Sequence, residues 1–109
     1  MKQMRQLRKY IEERKPKKIT LLSSFQSHSA SFCTMKIDFT EMEVDCCVPY
    51  RIILRNENAF IQLHNVTNVK IQLDPAGIGD LICITCVRPV ICPNICPELE
   101  MFTFVAKFV

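Results

Sequence analysis

The chain has 109 residues, of which 49% are apolar and 23% are charged, and its formal net charge is +3. This is the length of one ordinary domain with enough apolar residues to form a core, which excludes a disordered or low-complexity protein. Residues 1–18 hold eight Lys/Arg and two Glu (net +6), whereas residues 19–109 hold six Lys/Arg and nine Asp/Glu (net −3). We therefore divide the chain into a basic N-terminal helix or arm, 1–18, and a single β-rich domain, 19–109.

Residues 2–14 are predicted to form a helix. Met4, Leu7 and Ile11 recur at helical spacing with Lys and Arg between them, and Pro16 ends the pattern. Because the apolar stripe is narrow, we expect this helix to dock loosely on the body or to wait for a partner.

The period of the apolar residues changes to two after Pro16, which predicts strands. Ile19, Leu21 and Phe25 are expected to share one face of the first strand. A second alternating run follows, and its phase shifts near Thr40. The shift predicts an odd-length turn or a β-bulge at this point.

Further alternating runs predict the rest of the sheet. A strand is expected over 41–48, and its acidic side chains are expected to pair across the sheet with Arg51 and Arg55. The turn signal Asn56-Glu57-Asn58 predicts a hairpin between its two flanking runs. Glycines 77 and 79 lie in a short loop, which we interpret as a turn and not as a phosphate loop.

The last third of the chain contains a strand of unusual composition. Residues 81–87 are apolar on both faces apart from one threonine, which predicts a central strand covered on both sides. Three prolines predict an irregular segment over 88–97, and the alternation over 102–108 predicts a final strand. The expected fold is mainly β (α+β): a small antiparallel sheet, barrel or sandwich of about six to eight short strands, with one N-terminal helix.

Seven cysteines make metal or redox chemistry the first question. An all-thiolate zinc site needs four converging ligands, and one run of the chain supplies four. Two observations argue against such a site. Cys83 and Cys86 are three residues apart and are therefore expected to face opposite sides of a strand, and no glycine lies near the four cysteines. We favour buried free thiols and no cofactor, and keep a small structural zinc protein as a second alternative, with ligands Cys83, Cys86, Cys92 and Cys96.

No catalytic constellation is visible. The two histidines, His28 and His64, lie at polar positions, and neither is paired in sequence with a nucleophile. We therefore expect a protein that is not an enzyme.

The basic arm is the strongest functional signal. Clustered Lys and Arg bind nucleic acid by releasing counterions from its phosphates. No motif for base recognition accompanies the arm, so a helix that is solvated or docked on the acidic body is the simpler interpretation. The nucleic-acid alternative uses Lys2, Arg5, Arg8, Lys9, Arg14, Lys15, Lys17 and Lys18.

The leading hypothesis is a non-catalytic protein-interaction module, such as a regulator or small subunit of a larger assembly. Its partner is another protein or a second copy, bound through sheet edges or loops. The alternative is a nucleic-acid-binding accessory protein. The N-terminus has no apolar stretch of a secretory signal, and 81–87 is too short to span a bilayer, so we expect a cytoplasmic protein without a membrane partner.

Overall fold

The computed structural model describes residues 1–26, 31–88 and 98–108. His28 and nearly all of the segment predicted to be irregular, 88–97, lie outside the described residues. The described elements are one helix and eight strands: α1 (Lys2–Arg14), β1 (Lys18–Gln26), β2 (Ser31–Phe39), β3 (Glu41–Asp45), β4 (Arg51–Arg55), β5 (Phe60–Leu63), β6 (Val66–Gln72), β7 (Asp80–Arg88) and β8 (Glu98–Lys107).

The strands form two antiparallel sheets. The larger has the order β2-β1-β8-β7-β6, and the smaller has the order β3-β4-β5. The buried apolar side chains of both sheets and of α1 form one core cluster. The predicted mainly β fold with antiparallel strands and one N-terminal helix is confirmed.

Helix α1 begins and ends where the sequence pattern predicts. Lys15 adopts the left-handed conformation at φ 47° and caps the C-terminus, and its N–H donates to the Ile11 carbonyl. The expectation of loose docking is wrong. Met4 and Leu7 have no exposed surface, and Tyr10 is only 9% exposed. A narrow apolar stripe is sufficient to dock the helix tightly, because the helix lies between β3 of one sheet and β6 of the other and contacts both.

The phase shift near Thr40 marks a change of sheet. Thr40 alone separates β2 of the larger sheet from β3 of the smaller one, and its N–H donates to the Arg55 carbonyl at 3.0 Å. A second corner lies before β6, where Asn65 adopts φ 53°. The three strands of the smaller sheet are therefore consecutive in the chain, between the two points at which the chain passes from one sheet to the other. Strand β3 ends at Asp45, three residues earlier than predicted.

The predicted hairpin is present as β4 and β5. The Asn56 side chain accepts hydrogen bonds from the backbone N–H groups of Asn58 and Ala59, which closes the turn. The predicted ion pairs between β3 and β4 are also confirmed. They join Arg51 to Asp45 at 3.0 Å and Arg55 to Glu43 and Glu41 at 2.7 and 3.7 Å.

Strand β7 is central, as predicted, because it pairs with β6 on one side and β8 on the other. The prediction of cover on both faces is wrong. Ile82, Ile84 and Cys86 are buried, whereas the alternate positions from Leu81 to Val87 remain partly exposed. The helix and the smaller sheet both pack on one face of the larger sheet. We call the opposite face, which no described element covers, the outer face.

Phe25 does not share a face with Ile19 and Leu21, so that prediction is wrong. The pairing of β1 with both of its neighbours shifts between Leu21 and Ser23. Leu21 pairs with the buried Phe104 on the inner face. The extra residue reverses the alternation, and Phe25 therefore lies on the outer face.

Candidate interaction surfaces

The outer face is apolar at one end. Phe32 of β2, Phe25 of β1 and Met101 of β8 occupy adjacent cross-strand positions, and we call them the apolar row. Phe32 is 66% exposed and Met101 is 41% exposed. On the same face, Leu99 lies opposite Val87 and extends the apolar surface. Side chains opposite each other on neighbouring strands lie within contact distance, so the surface is continuous.

Three lysines form a second group on this face, which we call the lysine cluster: Lys18 and Lys107 lie at the other end of their strands, and Lys36 lies nearer the middle of β2. Lys18 of β1 pairs directly with Lys107 of β8, and Lys36 lies two residues from Asp38 on the same face of β2. The Asp38 carboxylate accepts a hydrogen bond from the Thr20 hydroxyl at 2.7 Å and lies 3.8 Å from the Lys18 ammonium. This hydrogen bond is the main cause that lowers the pKa of Asp38, and the three lysine charges add to it.

The eight basic residues proposed from the sequence to bind nucleic acid are all exposed. They differ in their ionic partners. On the helix, Arg8 lies 3.7 Å from Glu12 and Lys9 lies 3.8 Å from Glu13, each as an i,i+4 pair. Four others form no ion pair with the described residues: Lys2, Arg5, Lys15 and Lys17.

A buried carboxylate joins the helix to the larger sheet. Asp80 is 2% exposed, and it accepts hydrogen bonds from the Tyr10 hydroxyl at 2.5 Å and from the Asp74 N–H at 2.8 Å. The Arg14 guanidinium lies 3.7 Å from Asp80 and 4.8 Å from the centre of the Phe108 ring. Burial, assisted by the hydrogen bond to Asp80, raises the pKa of Tyr10 well above its usual value. Because both carboxylate oxygens are engaged by protein groups, we interpret this network as structural.

The cysteines proposed as zinc ligands are only partly described. Cys86 is buried on the inner face of β7 and Cys83 is partly exposed on the outer face, so their side chains point apart, as predicted. Cys92 and Cys96 lie outside the described residues, so the four-thiolate site stays a prediction. Within the part of the chain that the structure describes, no group of three or more His, Cys, Asp or Glu residues is placed to hold a metal ion.

The Cys86 thiol borders a pocket of about 230 Å³ between the ends of β5, β7 and β8. Burial raises the pKa of Cys86 to about 12, and the Glu100 charge contributes to the rise. A thiol with this pKa is protonated at neutral pH and is a poor nucleophile. His64 also lines the pocket but is exposed. The lining residues are Gln62, Leu63, His64, Asn65, Cys86, Val87, Glu100 and Phe102.

No helix within the described ranges is long and apolar enough to cross a membrane. Comparisons with known protein families, curated proteins and solved structures found no match.

Sequence reasoning did not identify either end of the outer face. It assigned Lys17 and Lys18 to the basic arm but did not connect them with Lys36 or Lys107, which come from other strands. Alternation along a strand shows which side chains share a face, but it does not show which strands will be neighbours. The apolar row was missed for the same reason, and also because a bulge changes the face of Phe25.

Proposed function

We propose that this chain is a non-catalytic protein-interaction module, a regulator or small subunit of a larger assembly, that binds a protein partner through the apolar row. One observation carries the proposal: Phe32, Phe25 and Met101 lie side by side on a sheet face that no described element covers. Contiguous exposed apolar surface marks interaction sites. Aromatic residues and methionine are also enriched in protein interfaces.

The state of the buried reactive groups supports a binding role. Burial keeps the Cys86 thiol protonated, and the Asp80 carboxylate is engaged by Tyr10 and by backbone. A catalytic nucleophile or base needs the opposite arrangement, with a lowered thiol pKa or an accessible carboxylate. We place the module in the cytoplasm as part of the same proposal, since exposed thiols such as Cys33 and Cys47 suit a reducing compartment.

The experiment uses two phenylalanines of equal exposure. Phe32 lies on the outer face and Phe60 lies on the smaller sheet, and each is 66% exposed. A photo-crosslinking amino acid, p-benzoylphenylalanine, replaces one or the other, and the protein is irradiated in cells of its native host. We expect a discrete adduct from position 32 that position 60 does not give, and mass spectrometry then identifies the second component.

A second measurement connects the adduct with affinity. Phe32→Ser is expected to abolish association with the identified component in analytical ultracentrifugation, whereas Phe60→Ser leaves it intact. If the component is a second copy of this chain, Phe32→Ser is expected to be a monomer and Phe60→Ser is expected to remain a dimer. Equal crosslinking from both positions, or no adduct from position 32, would contradict the proposal.

A further inference from the structure

We infer that the lysine cluster of Lys18, Lys36 and Lys107 binds the phosphate backbone of a nucleic acid. This surface is separate from the apolar row. Phe25 and Lys18 lie at opposite ends of β1, seven residues apart, which corresponds to about 23 Å along a strand. Lys36 is the cluster's nearest member to the row, four residues or about 13 Å from Phe32 along β2. The inference goes beyond the proposed function and does not depend on it.

The pairing of Lys18 with Lys107 is the first argument. Like charges directly opposite each other on neighbouring strands destabilise a sheet. Asp38 offsets one of the lysine charges, since one of its carboxylate oxygens lies 3.8 Å from the Lys18 ammonium while the other accepts a hydrogen bond from Thr20. Three lysines against one aspartate leave the cluster with a net charge of +2. An arrangement that breaks a local stability rule is a sign of a functional site.

The charge of the whole face is the second argument. Its strand positions hold one aspartate, Asp38, against four lysines, a net charge of +3. Without Lys18 the same positions carry +2, although residues 19–109 as a whole carry −3. Lys17 adds charge at the same end, because its N–H donates to the Lys107 carbonyl at 2.9 Å. The four lysines of the face are Lys18, Lys36, Lys70 and Lys107.

The type of side chain indicates how the ligand is recognised. Lysine contributes a compact point charge and binds phosphate without the two-pronged geometry by which arginine recognises guanine. A cluster made only of lysines therefore predicts binding to the backbone with little dependence on base sequence. The helix differs in side-chain type, since it holds the arginines Arg5, Arg8 and Arg14 beside its lysines.

The test measures the salt dependence of binding. The intact protein is titrated into a fluorescein-labelled 20-nucleotide single strand, and separately into the matching duplex, with anisotropy as the readout at several salt concentrations. Three phosphate contacts give a slope of log K against log salt of about −2 on the single strand and about −3 on the duplex. Lys18→Ala combined with Lys107→Ala is expected to reduce the size of each slope by about two-thirds.

A matched double variant is the control. Arg51→Ala with Arg55→Ala removes the same number of charges from the smaller sheet, where both arginines are paired with carboxylates. This variant should retain the wild-type slope, and circular dichroism checks that both variants are folded. Phe32→Ser should also bind the oligonucleotide with the wild-type affinity, because Phe32 is not part of the lysine cluster. Loss of oligonucleotide binding and loss of the protein partner can therefore be told apart.

Three results would overturn the inference. The first is no binding to either oligonucleotide at low salt. The second is an equal loss of slope in the two double variants, which would indicate general attraction to a cation-rich protein. The third is binding to poly-glutamate as tight as to the oligonucleotides, which would indicate an acidic protein as the ligand.

Discussion

The contact between the helix and the sheet through Tyr10 and Asp80 predicts a measurable loss of stability. Tyr10→Phe removes the hydroxyl that donates to the buried Asp80 carboxylate at 2.5 Å and keeps the aromatic ring in place. Loss of a hydrogen bond to a buried charged group costs about 2 kcal/mol. With a urea m-value of roughly 2 kcal/mol per molar, the unfolding midpoint falls by about 1 M.

Tyr50→Phe is the matched control. The Tyr50 hydroxyl accepts a hydrogen bond from the Met1 ammonium at 2.6 Å, at a partly buried position next to the chain terminus. A solvated ammonium regains its partner from water, so the cost is under about 1 kcal/mol. If Tyr10→Phe changes the unfolding free energy by less than 0.5 kcal/mol (about the scatter of neutral surface substitutions), or no more than Tyr50→Phe does, the buried network is not a stabilising contact.

The pH dependence gives an independent check. The pKa of Tyr10 is raised on folding, so its contribution is complete below about pH 10, the usual tyrosine pKa, and is lost as the pH rises through that value toward the folded-state pKa. The loss approaches roughly 1.4 kcal/mol per pH unit. The stability difference between the wild type and Tyr10→Phe should therefore shrink above pH 10, and a difference that grows would refute the sign.

Three other predictions concern packing and reactivity. Gly79→Ala should destabilise the protein by about 2 kcal/mol, because the added Cβ would lie 2.8 Å from a valine methyl group and 3.2 Å from a backbone carbonyl oxygen of β8. Gly77→Ala should cost only about 1 kcal/mol, because Gly77 has φ 71° but lies in open space. Equal decreases in melting temperature for the two variants would contradict this order. Leu7→Ala should lower the unfolding free energy by about 3 kcal/mol in urea titrations, since the side chain has no exposed surface, and a loss below about 1 kcal/mol would indicate a helix that is not docked. Iodoacetamide at pH 8 should alkylate the exposed Cys47 in the native protein and reach Cys86 only after unfolding, because Cys86 is buried with a pKa of about 12. Peptide mass spectrometry measures the alkylation rates of both thiols. Similar rates in the native protein would show that Cys86 is accessible.

Local sequence patterns predicted the elements that depend on neighbouring residues. Helix α1 follows from its spacing of apolar residues and its terminating Pro16, and the β4–β5 hairpin follows from Asn56, whose side chain closes the turn. The shift near Thr40 predicts an odd-length turn or a bulge, and the structure has a one-residue connection there. The accompanying change of sheet was not predicted, because a turn, a change of sheet and a bulge alter the alternation in the same way. Distinguishing them requires knowledge of which strands pair.

The two candidate surfaces were harder to predict because they depend on long-range pairing. Lys107 is opposite Lys18 only because β8 enters the sheet beside β1, and no local pattern encodes that position. The bulge between Leu21 and Ser23 had a similar effect, since one extra residue moved Phe25 from the expected core to the outer face. Burial of the inner-face residues could still be predicted, because apolar side chains are expected in the core whichever strands are neighbours.

The strand order β2-β1-β8-β7-β6 has a consequence for synthesis on the ribosome. The β1–β2 and β6–β7 pairs each join segments that are close in the chain, and β8 connects the two pairs. Pairing β1 with β8 brings Lys18 next to Lys107, across almost the whole chain, and closing so long a loop is slow. Until residues 98–107 leave the ribosome exit tunnel, β1 and β2 can pair only with each other, as can β6 and β7, and both pairs keep an open edge. We therefore expect the nascent chain to be prone to aggregation until β8 has been made.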